Sequence, residues 1–212
     1  MKSILISINP QHALNILNGS KTLELRKSVP KDFIGWVYMY ITLGKKHEAL
    51  IDFSTFAFVK YNSRFHFVNL KNSTPLLQFR PVLNGKVVAR WWFDGYDVIE
   101  EHHLINQGET WFTIGNDGNT FYNKLCLNVT DVSKYLGMNN GYAWHISKLE
   151  MFDKPMWLSE FYTYNESFEQ CGFAMTLAEE YMSEEERIFN RGSKPLTRPS
   201  QSWQYVWVKE KI

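Results

Sequence analysis

Short runs in which apolar and polar residues alternate dominate the chain and predict a β-rich fold. Residues 2–8 form the first such run, with isoleucine at every second position near its end, as expected for a strand with one buried face. An Asn-Pro pair then indicates the start of a helix and Gly19 its end. Alternation resumes at 21–26, and 36–42 is almost continuously apolar, which is typical of a strand covered on both faces.

The rest of the chain continues this pattern with few helices. Further strands are predicted at 53–60, 64–70, 86–93, 96–99, 142–147 and 204–209. One helix is predicted to be capped by Thr130 and to end near Gly137. Another is predicted over 176–190, where Thr176 and Glu179 match a capping box.

These elements predict a single α+β domain over residues 1–212. We find no internal repeat and no linker-like segment. The many short strands favour a strongly bent, barrel-like sheet flanked by helices. Within it we expect 45–84 to be an aromatic-rich insertion and 150–195 to be a helical elaboration.

Aromatic residues make up 16% of the chain, which widens the interpretation of these strands. Phe, Tyr and Trp favour strands and fill β-rich cores. They also provide the ring faces on which nucleobases stack. Composition therefore leaves two alternatives open for any given ring, a core residue or a stacking surface.

The net charge of +1 conceals an uneven distribution of charge. Residues 1–50 carry seven Lys or Arg against three Asp or Glu, and 187–212 carry six against one. In contrast, 150–186 holds ten acidic residues and a single lysine. If the fold brings the two basic ends together, they form a local basic surface. The acidic segment is either the solvated face of a helix or an interaction surface.

Several functional classes are disfavoured by what the sequence lacks. The longest uncharged apolar stretch, 33–44, is shorter than the roughly 20 residues that a transmembrane helix needs, and the amino terminus lacks the features of a signal peptide. Cys126 and Cys171 cannot by themselves build a zinc site or a disulfide framework. If the segment that holds His102 and His103 is a strand, these adjacent residues point to opposite faces and cannot share one ion. We therefore expect a cytoplasmic protein that binds no membrane, no metal and no cofactor.

Residues 21–26 are the best candidate for a functional site. Glu24 and Arg26 lie two apart, on the same face of the predicted strand, where a carboxylate and a guanidinium can pair or can contact a ligand together. Lys21 stands at the junction between the helix end and this strand. The alternative is a structural salt bridge with a solvent-facing lysine, and the sequence leaves both open.

Several segments of the chain resemble the ASCH family, which belongs to the PUA-like superfamily. The opening motif is Ser-Ile-Asn-Pro-Gln-His-Ala at 7–13, followed by Gly-Ser-Lys-Thr-Leu-Glu-Leu-Arg at 19–26. Further similar segments lie at 37–42, 85–90, 143–147, 153–155 and 198–203. The last three look like the larger ASCH proteins of phages and prophages. The resemblance covers most of the chain, apart from 45–84 and 160–195.

This resemblance implies a PUA-like β-barrel with a cleft near the first helix, and a role with RNA or modified bases. Some small bacterial relatives hydrolyse N4-acylated cytidines, using a lysine that corresponds to Lys21, a threonine three residues later and a distant glutamate. In this chain Glu24 stands where that threonine would be. Other ASCH proteins are linked to RNA cleavage.

The first hypothesis is therefore a module that binds RNA or a modified nucleobase. Cations would meet phosphates or base edges, aromatic rings would stack on bases, and a hydroxyl and a carboxylate would complete the site. The candidate residues are Lys21, Glu24, Arg26, Tyr40, Trp144, Arg198, Ser202 and Trp203. For Trp144 and Trp203 a place in the core is the alternative, and for Ser202 a turn.

Two other functional classes stay open at this point. One is an enzyme, a nucleoside amidohydrolase or a ribonuclease, in which Lys21 is the nucleophile or proton acceptor and Glu24 orients it or activates water. The neighbouring carboxylate opposes this role, because it favours a protonated amine. The other is a regulatory factor that binds a protein partner through the acidic segment 150–186.

Overall fold

The structure, a computed structural model, describes residues 2–43, 56–61, 64–69, 83–104, 109–115, 120–137, 139–164 and 193–208. Its strands are β1 (Lys2–Ile8), β2 (Leu23–Arg26), β3 (Gly35–Ile41), β4 (Phe56–Tyr61), β5 (Arg64–Asn69), β6 (Lys86–Phe93), β7 (Tyr96–Leu104), β8 (Glu109–Thr113), β9 (Gly141–His145), β10 (Ser147–Trp157), β11 (Phe161–Thr163) and β12 (Trp203–Val208). Its α-helices are α1 (Pro10–Leu17), α2 (Thr120–Leu125) and α3 (Val129–Leu136), and a 3₁₀ turn covers Leu158–Glu160.

The strands form two main sheets and a hairpin. The larger sheet has six strands in the order β10-β6-β3-β1-β12-β11, and the smaller has four in the order β2-β9-β7-β8. Strands β1 and β3 run parallel, while the other paired strands run antiparallel. Strands β4 and β5 pair only with each other in the part of the chain described.

The α+β class is confirmed, but the expected closed barrel is not found. In the residues described, β10 and β11 are the two edges of the six-stranded sheet and do not pair with each other. Strands β2 and β8 are likewise the edges of the smaller sheet. Within the described ranges the two sheets are therefore open, and the core contacts of Trp144 from β9 join them.

Local patterns predicted most strand positions, with some corrections. The strand predicted at 96–99 continues to Leu104 and pairs with β8, which was not predicted. The segment expected to be helical over 150–195 begins as β10, the 3₁₀ turn and β11. The helix predicted over 176–190 and most of the insertion 45–84 lie outside the described residues.

The six-stranded sheet carries a core on each face. On one face, alternate residues of β1 and β3 pack against Ala13 and Ile16 of α1. On the other face, Leu5 and Tyr38 pack with Phe161 and Val206. A bulge at Val88 puts Val88 and its neighbour Ala89 in the same core cluster, because Met39 pairs with Ala89 while Tyr40 pairs with Val87. Each large apolar side chain buried in this way contributes on the order of 1.5–3 kcal/mol.

A third core cluster places β2 beside α2 and α3. Leu23 and Leu25 are buried with Phe121, Leu125 and Val132. Because strand side chains alternate between faces, the residues between and after these leucines project to the opposite side of β2. The candidate site lies on that side.

Candidate functional site

A cleft of about 840 Å³ opens where α1, β2 and α3 meet the end of β1. Its lining contains the three residues singled out from the sequence between 21 and 26, together with polar residues from four other parts of the chain. The lining residues are Ser7, Ile8, Asn9, Gln11, His12, Lys21, Glu24, Leu25, Arg26, Thr42, Cys126, Leu127, Asp131, Lys134, Tyr135, Gln201 and Ser202. The cleft is thus assembled from both ends of the chain and its middle.

The turn after α1 fixes the start of β2 and with it the position of Lys21. The helix ends through Gly19, whose φ of +77° favours glycine. The Lys21 backbone N–H then donates to Asn15 O at 2.8 Å, and the Thr22 N–H donates to Lys124 O at 3.0 Å. Lys21 therefore enters the cleft from a backbone held by both α1 and the end of α2.

Lys21, Glu24 and Arg26 form a buried network of charges. Lys21 Nζ donates to Leu125 O at 2.7 Å and lies 3.3 Å from Glu24 Oε2. Arg26 Nη1 lies 2.8 Å from Glu24 Oε1, and Arg26 Nη2 donates to Ser7 O at 2.9 Å. The three residues are 2%, 4% and 8% exposed, which excludes the solvent-facing lysine considered from the sequence.

Three buried polar atoms in this cleft have no hydrogen-bond partner among the residues that the structure describes. They are His12 Nδ1, Glu24 Oε2 and Arg26 Nε. Glu24 Oε2 is nevertheless ion-paired with Lys21 Nζ at 3.3 Å. Because a buried polar group without a partner typically costs about 1–3 kcal/mol, these atoms mark a place where a ligand gains hydrogen bonds.

The electrostatics of the cleft fix the charge of Glu24 and His12. Burial by itself raises the pKa of Glu24, but the charges of Lys21 and Arg26 outweigh it and lower that pKa below its ordinary value. Burial lowers the pKa of His12, with Glu24 opposing and Lys21 and Arg26 adding to the shift. At neutral pH the cleft therefore presents a carboxylate, a guanidinium and a neutral imidazole.

Of the other residues predicted for the site, only Ser202 lies in the cleft. It is half-buried, and its carbonyl accepts a hydrogen bond from the Ser7 N–H at 2.8 Å. Tyr40 is buried on the other face of the six-stranded sheet, and Arg198 is exposed outside the lining. The structure thus brings neither Tyr40 nor Arg198 into the cleft lining, and the ligand contacts predicted for them stay predictions.

Trp144 and Trp203 also lie outside the cleft lining, in the core. Trp144 is fully buried, donates to Ser28 O at 3.2 Å and packs against Phe93 with ring centroids 5.0 Å apart. Trp203 is half-buried, donates to Ser28 Oγ at 3.1 Å and packs against Trp144. Both rings therefore pack in the core, and the stacking roles predicted for them stay predictions.

The sequence interpretation missed His12 and the α3 side of the cleft. His12 lies within the opening motif at 7–13, but nothing in its helical spacing separates a cleft residue from a surface one. Asp131, Lys134 and Tyr135 line the cleft from α3. Their i, i+3 and i+4 spacing puts them on one helix face, although only the fold shows which element that face meets.

Among the described residues, no group of three His, Cys, Asp or Glu side chains is placed to hold a metal ion. His102 Nε2 lies 2.7 Å from Thr113 Oγ1 across the β7–β8 pair. None of the helices described is long and apolar enough to span a membrane.

Comparison with known proteins gives a weak likeness to solved ASCH structures. No family model matches the chain, and no curated protein does. The crystal structure of ASCH from Zymomonas mobilis is 14% identical, with 98% of this chain and 88% of that chain covered and a TM-score of 0.44. A serine-to-alanine mutant of that protein is 13% identical, with 98% of this chain and 89% of that chain covered and a TM-score of 0.44. A tyrosine-to-phenylalanine mutant is 15% identical, with 74% of this chain and 77% of that chain covered and a TM-score of 0.40. At such values the geometry of the cleft has to carry any functional conclusion.

Proposed function

We propose that the cleft binds a nucleobase, presented by RNA or as a modified nucleoside. The observation that supports this most directly is that three buried atoms, His12 Nδ1, Glu24 Oε2 and Arg26 Nε, make no hydrogen bond within the described residues, although Glu24 Oε2 is ion-paired with Lys21. They supply an acceptor, a donor and an imidazole nitrogen that is either one, according to its tautomer. A base edge offers complementary donors and acceptors side by side.

The charges of the cleft favour a base edge over a bare phosphate. The positive charges of Lys21 and Arg26 are already engaged by the Glu24 carboxylate between them. A phosphate that approached Arg26 would meet this carboxylate as well, whereas an amino or imino group of a base would donate to it. On the α3 side the lining adds one charge of each sign, Lys134 and Asp131.

The contacts of Lys21 argue against its use as a nucleophile. Its amine donates to Leu125 O at 2.7 Å and lies 3.3 Å from Glu24, contacts that suit an ammonium group with all its protons. A nucleophilic or proton-accepting lysine needs a free lone pair. In the proposed role Lys21 instead holds Glu24 in place and keeps it ionised.

The proposal is tested by calorimetric titration of the purified protein with single-stranded RNA oligomers and with free and modified nucleosides. We expect Arg26→Gln and His12→Ala each to weaken binding by about tenfold or more. His12→Ala is the cleaner variant, since His12 Nδ1 has no hydrogen-bond partner within the described part of the chain. Lys194→Gln is the control, because it removes an exposed cation outside the lining.

Absence of binding to every RNA and nucleoside, or equal binding by both cleft variants and the control, would overturn the proposal. The resemblance to phage and prophage proteins, the cytoplasmic location and a protein partner for 150–186 stay predictions. Most of that acidic segment lies outside the described residues.

A further inference from the structure

A second cavity, of about 610 Å³, lies under an irregular part of β10 and shares no lining residue with the cleft. Met151 pairs with Ala89 and Met156 with Val87, so five steps along β10 accompany two along β6. Residues 152–155 thus stand opposite Val88 alone, and all four of them line the cavity. Bulges of this kind are over-represented next to functional sites. We call this cavity the bulge pocket; its lining is Tyr38, Arg90, Met151, Phe152, Asp153, Lys154, Pro155, Met156, Trp157, Glu160 and Val208.

A fixed guanidinium lies among apolar residues in the bulge pocket. Arg90 stacks on Trp36, with its Cζ 4.0 Å from the ring centroid. Its Nε donates to Glu150 Oε2 at 2.7 Å and its Nη1 donates to Tyr38 OH at 3.2 Å. Burial lowers the pKa of Arg90, but the hydrogen bonds to Glu150 and Tyr38 outweigh it and raise the pKa. The cation is therefore held in one orientation before any ligand arrives.

The mouth of the bulge pocket exposes apolar surface that folding leaves uncovered. Met151 is 64% exposed and Trp157 is 60% exposed. The Lys86 ammonium stands over the Trp157 ring at 4.9 Å from its centroid. The backbone N–H of Trp157 donates to Glu160 Oε2 at 2.8 Å. The backbone of Trp157 is thus held in place, and its indole ring is covered by Lys86 on one face while most of its surface faces solvent.

We propose that the bulge pocket is a second ligand site, which takes an organic anion that carries a planar ring. The anionic group would pair with Arg90, for which a phosphate or a carboxylate is the matching partner. The ring would pack on Trp157 and Met151, where stacking on an exposed indole favours planar ligands. Glu150 is the present counter-ion of Arg90, and at 48% exposure its side chain is open to displacement.

The test titrates the full-length protein with adenosine monophosphate, indole acetate and inorganic phosphate, followed by calorimetry and tryptophan fluorescence. We expect one or both ringed anions to bind at least about tenfold more tightly than inorganic phosphate, since stacking adds to the ion pair. Comparing adenosine monophosphate with indole acetate shows whether the site prefers a phosphate or a carboxylate as the anionic group. Equal affinity for inorganic phosphate would remove the ring from the proposal and overturn it.

Two substitutions with opposite expected effects localise the binding. Arg90→Gln should weaken it by about tenfold or more. Glu150→Gln should tighten it, because it removes the competing charge while an amide oxygen can still accept from Arg90. A variant that merely fails to fold cannot produce the second result. Lys31→Gln, outside the lining of the bulge pocket, controls for loss of positive charge.

Binding of neither ringed anion would overturn the second site, as would binding that ignores both substitutions. The inference does not rest on the nucleobase site. A signal that follows His12→Ala instead of Arg90→Gln would assign the anion to the cleft and leave the bulge pocket without a ligand.

Discussion

Glu24 is the residue on which the cleft depends most, because it is a buried carboxylate held between two cations. Its Oε1 lies 2.8 Å from Arg26 Nη1 and its Oε2 lies 3.3 Å from Lys21 Nζ. Taking charges out of water costs several kcal/mol per ion, which close pairing offsets. Removing Glu24 alone would leave two buried cations without their counter-ion.

We therefore expect Glu24→Gln to lower the free energy of unfolding at neutral pH by about 3–5 kcal/mol. The pKa of Glu24 is lower in the folded protein than its ordinary value of 4.5, so between the two values the unfolded chain binds more protons. Its contribution to stability is thus complete above pH 4.5 and is lost as the pH falls through the lowered pKa. Urea unfolding of both proteins between pH 7 and pH 3 checks this.

The expected result is a wild-type stability curve that falls more steeply with acid than the curve of the variant. Parallel stability curves for wild type and Glu24→Gln between pH 7 and pH 3 would refute the pairing of Glu24 with Lys21 and Arg26. A structural brace and a ligand site both predict this loss of stability, so the measurement tests the electrostatics of the network and not its function.

At the residue scale, the sequence predicted which side chains share a face of β2 but not which backbone atoms they contact. The period of two along β2 placed Glu24 and Arg26 together, and the structure confirms that placement. The backbone contacts of the site come from farther away, since Lys21 donates to Leu125 O and Arg26 donates to Ser7 O. Leu125 lies about a hundred residues from Lys21 along the chain, so no local pattern indicates that Lys21 is buried against it.

At the scale of elements, α3 shows how a helix start can be misread by two residues. The sequence predicted Thr130 as the cap, whereas the structure has Asn128. Asn128 Oδ1 accepts from the Asp131 N–H at 2.8 Å, and Asp131 Oδ2 accepts from the Asn128 N–H at 3.3 Å. Both Thr and Asn are good caps, so only the reciprocal pair with Asp131 distinguishes them.

We expect Asn128→Ala to destabilise the protein by about 1 kcal/mol, because it removes the side chain that satisfies the Asp131 N–H. Thr130→Ala is the matched control and should change stability by about 0.5 kcal/mol or less, since Thr130 is exposed. Thermal unfolding of the two variants decides between the caps. A larger loss for Thr130→Ala would restore the prediction made from the sequence.

Elements with weak periodicity were the ones that the sequence did not predict. Helix α2 has six residues, which is too short for a 3.6-residue period to show. The second half of β7 is Glu-Glu-His-His-Leu, which does not alternate between apolar and polar residues. In both cases the pairing or packing partner, and not local propensity, determines the structure.

At the scale of the whole molecule, Trp144 joins the two sheets. It belongs to β9 of the smaller sheet, yet its side chain lies in the core cluster of the larger one. Its ring centroid is 5.0 Å from that of Phe93 and 5.5 Å from that of Trp203. The sequence could not show this, because the packing of one sheet on another depends on contacts far apart along the chain.

If Trp144 joins the sheets, Trp144→Ala should lower the free energy of unfolding by about 3–5 kcal/mol. The substitution empties a fully buried site and leaves Ser28 O without the donor that the indole provides. Trp157→Ala is the matched control and should cost about 1 kcal/mol or less, because that indole is 60% exposed. Urea unfolding of both variants, with ligand titration alongside, separates packing from recognition. A Trp144→Ala protein that kept its stability but lost nucleobase binding would place this ring at the ligand, as the stacking hypothesis had it.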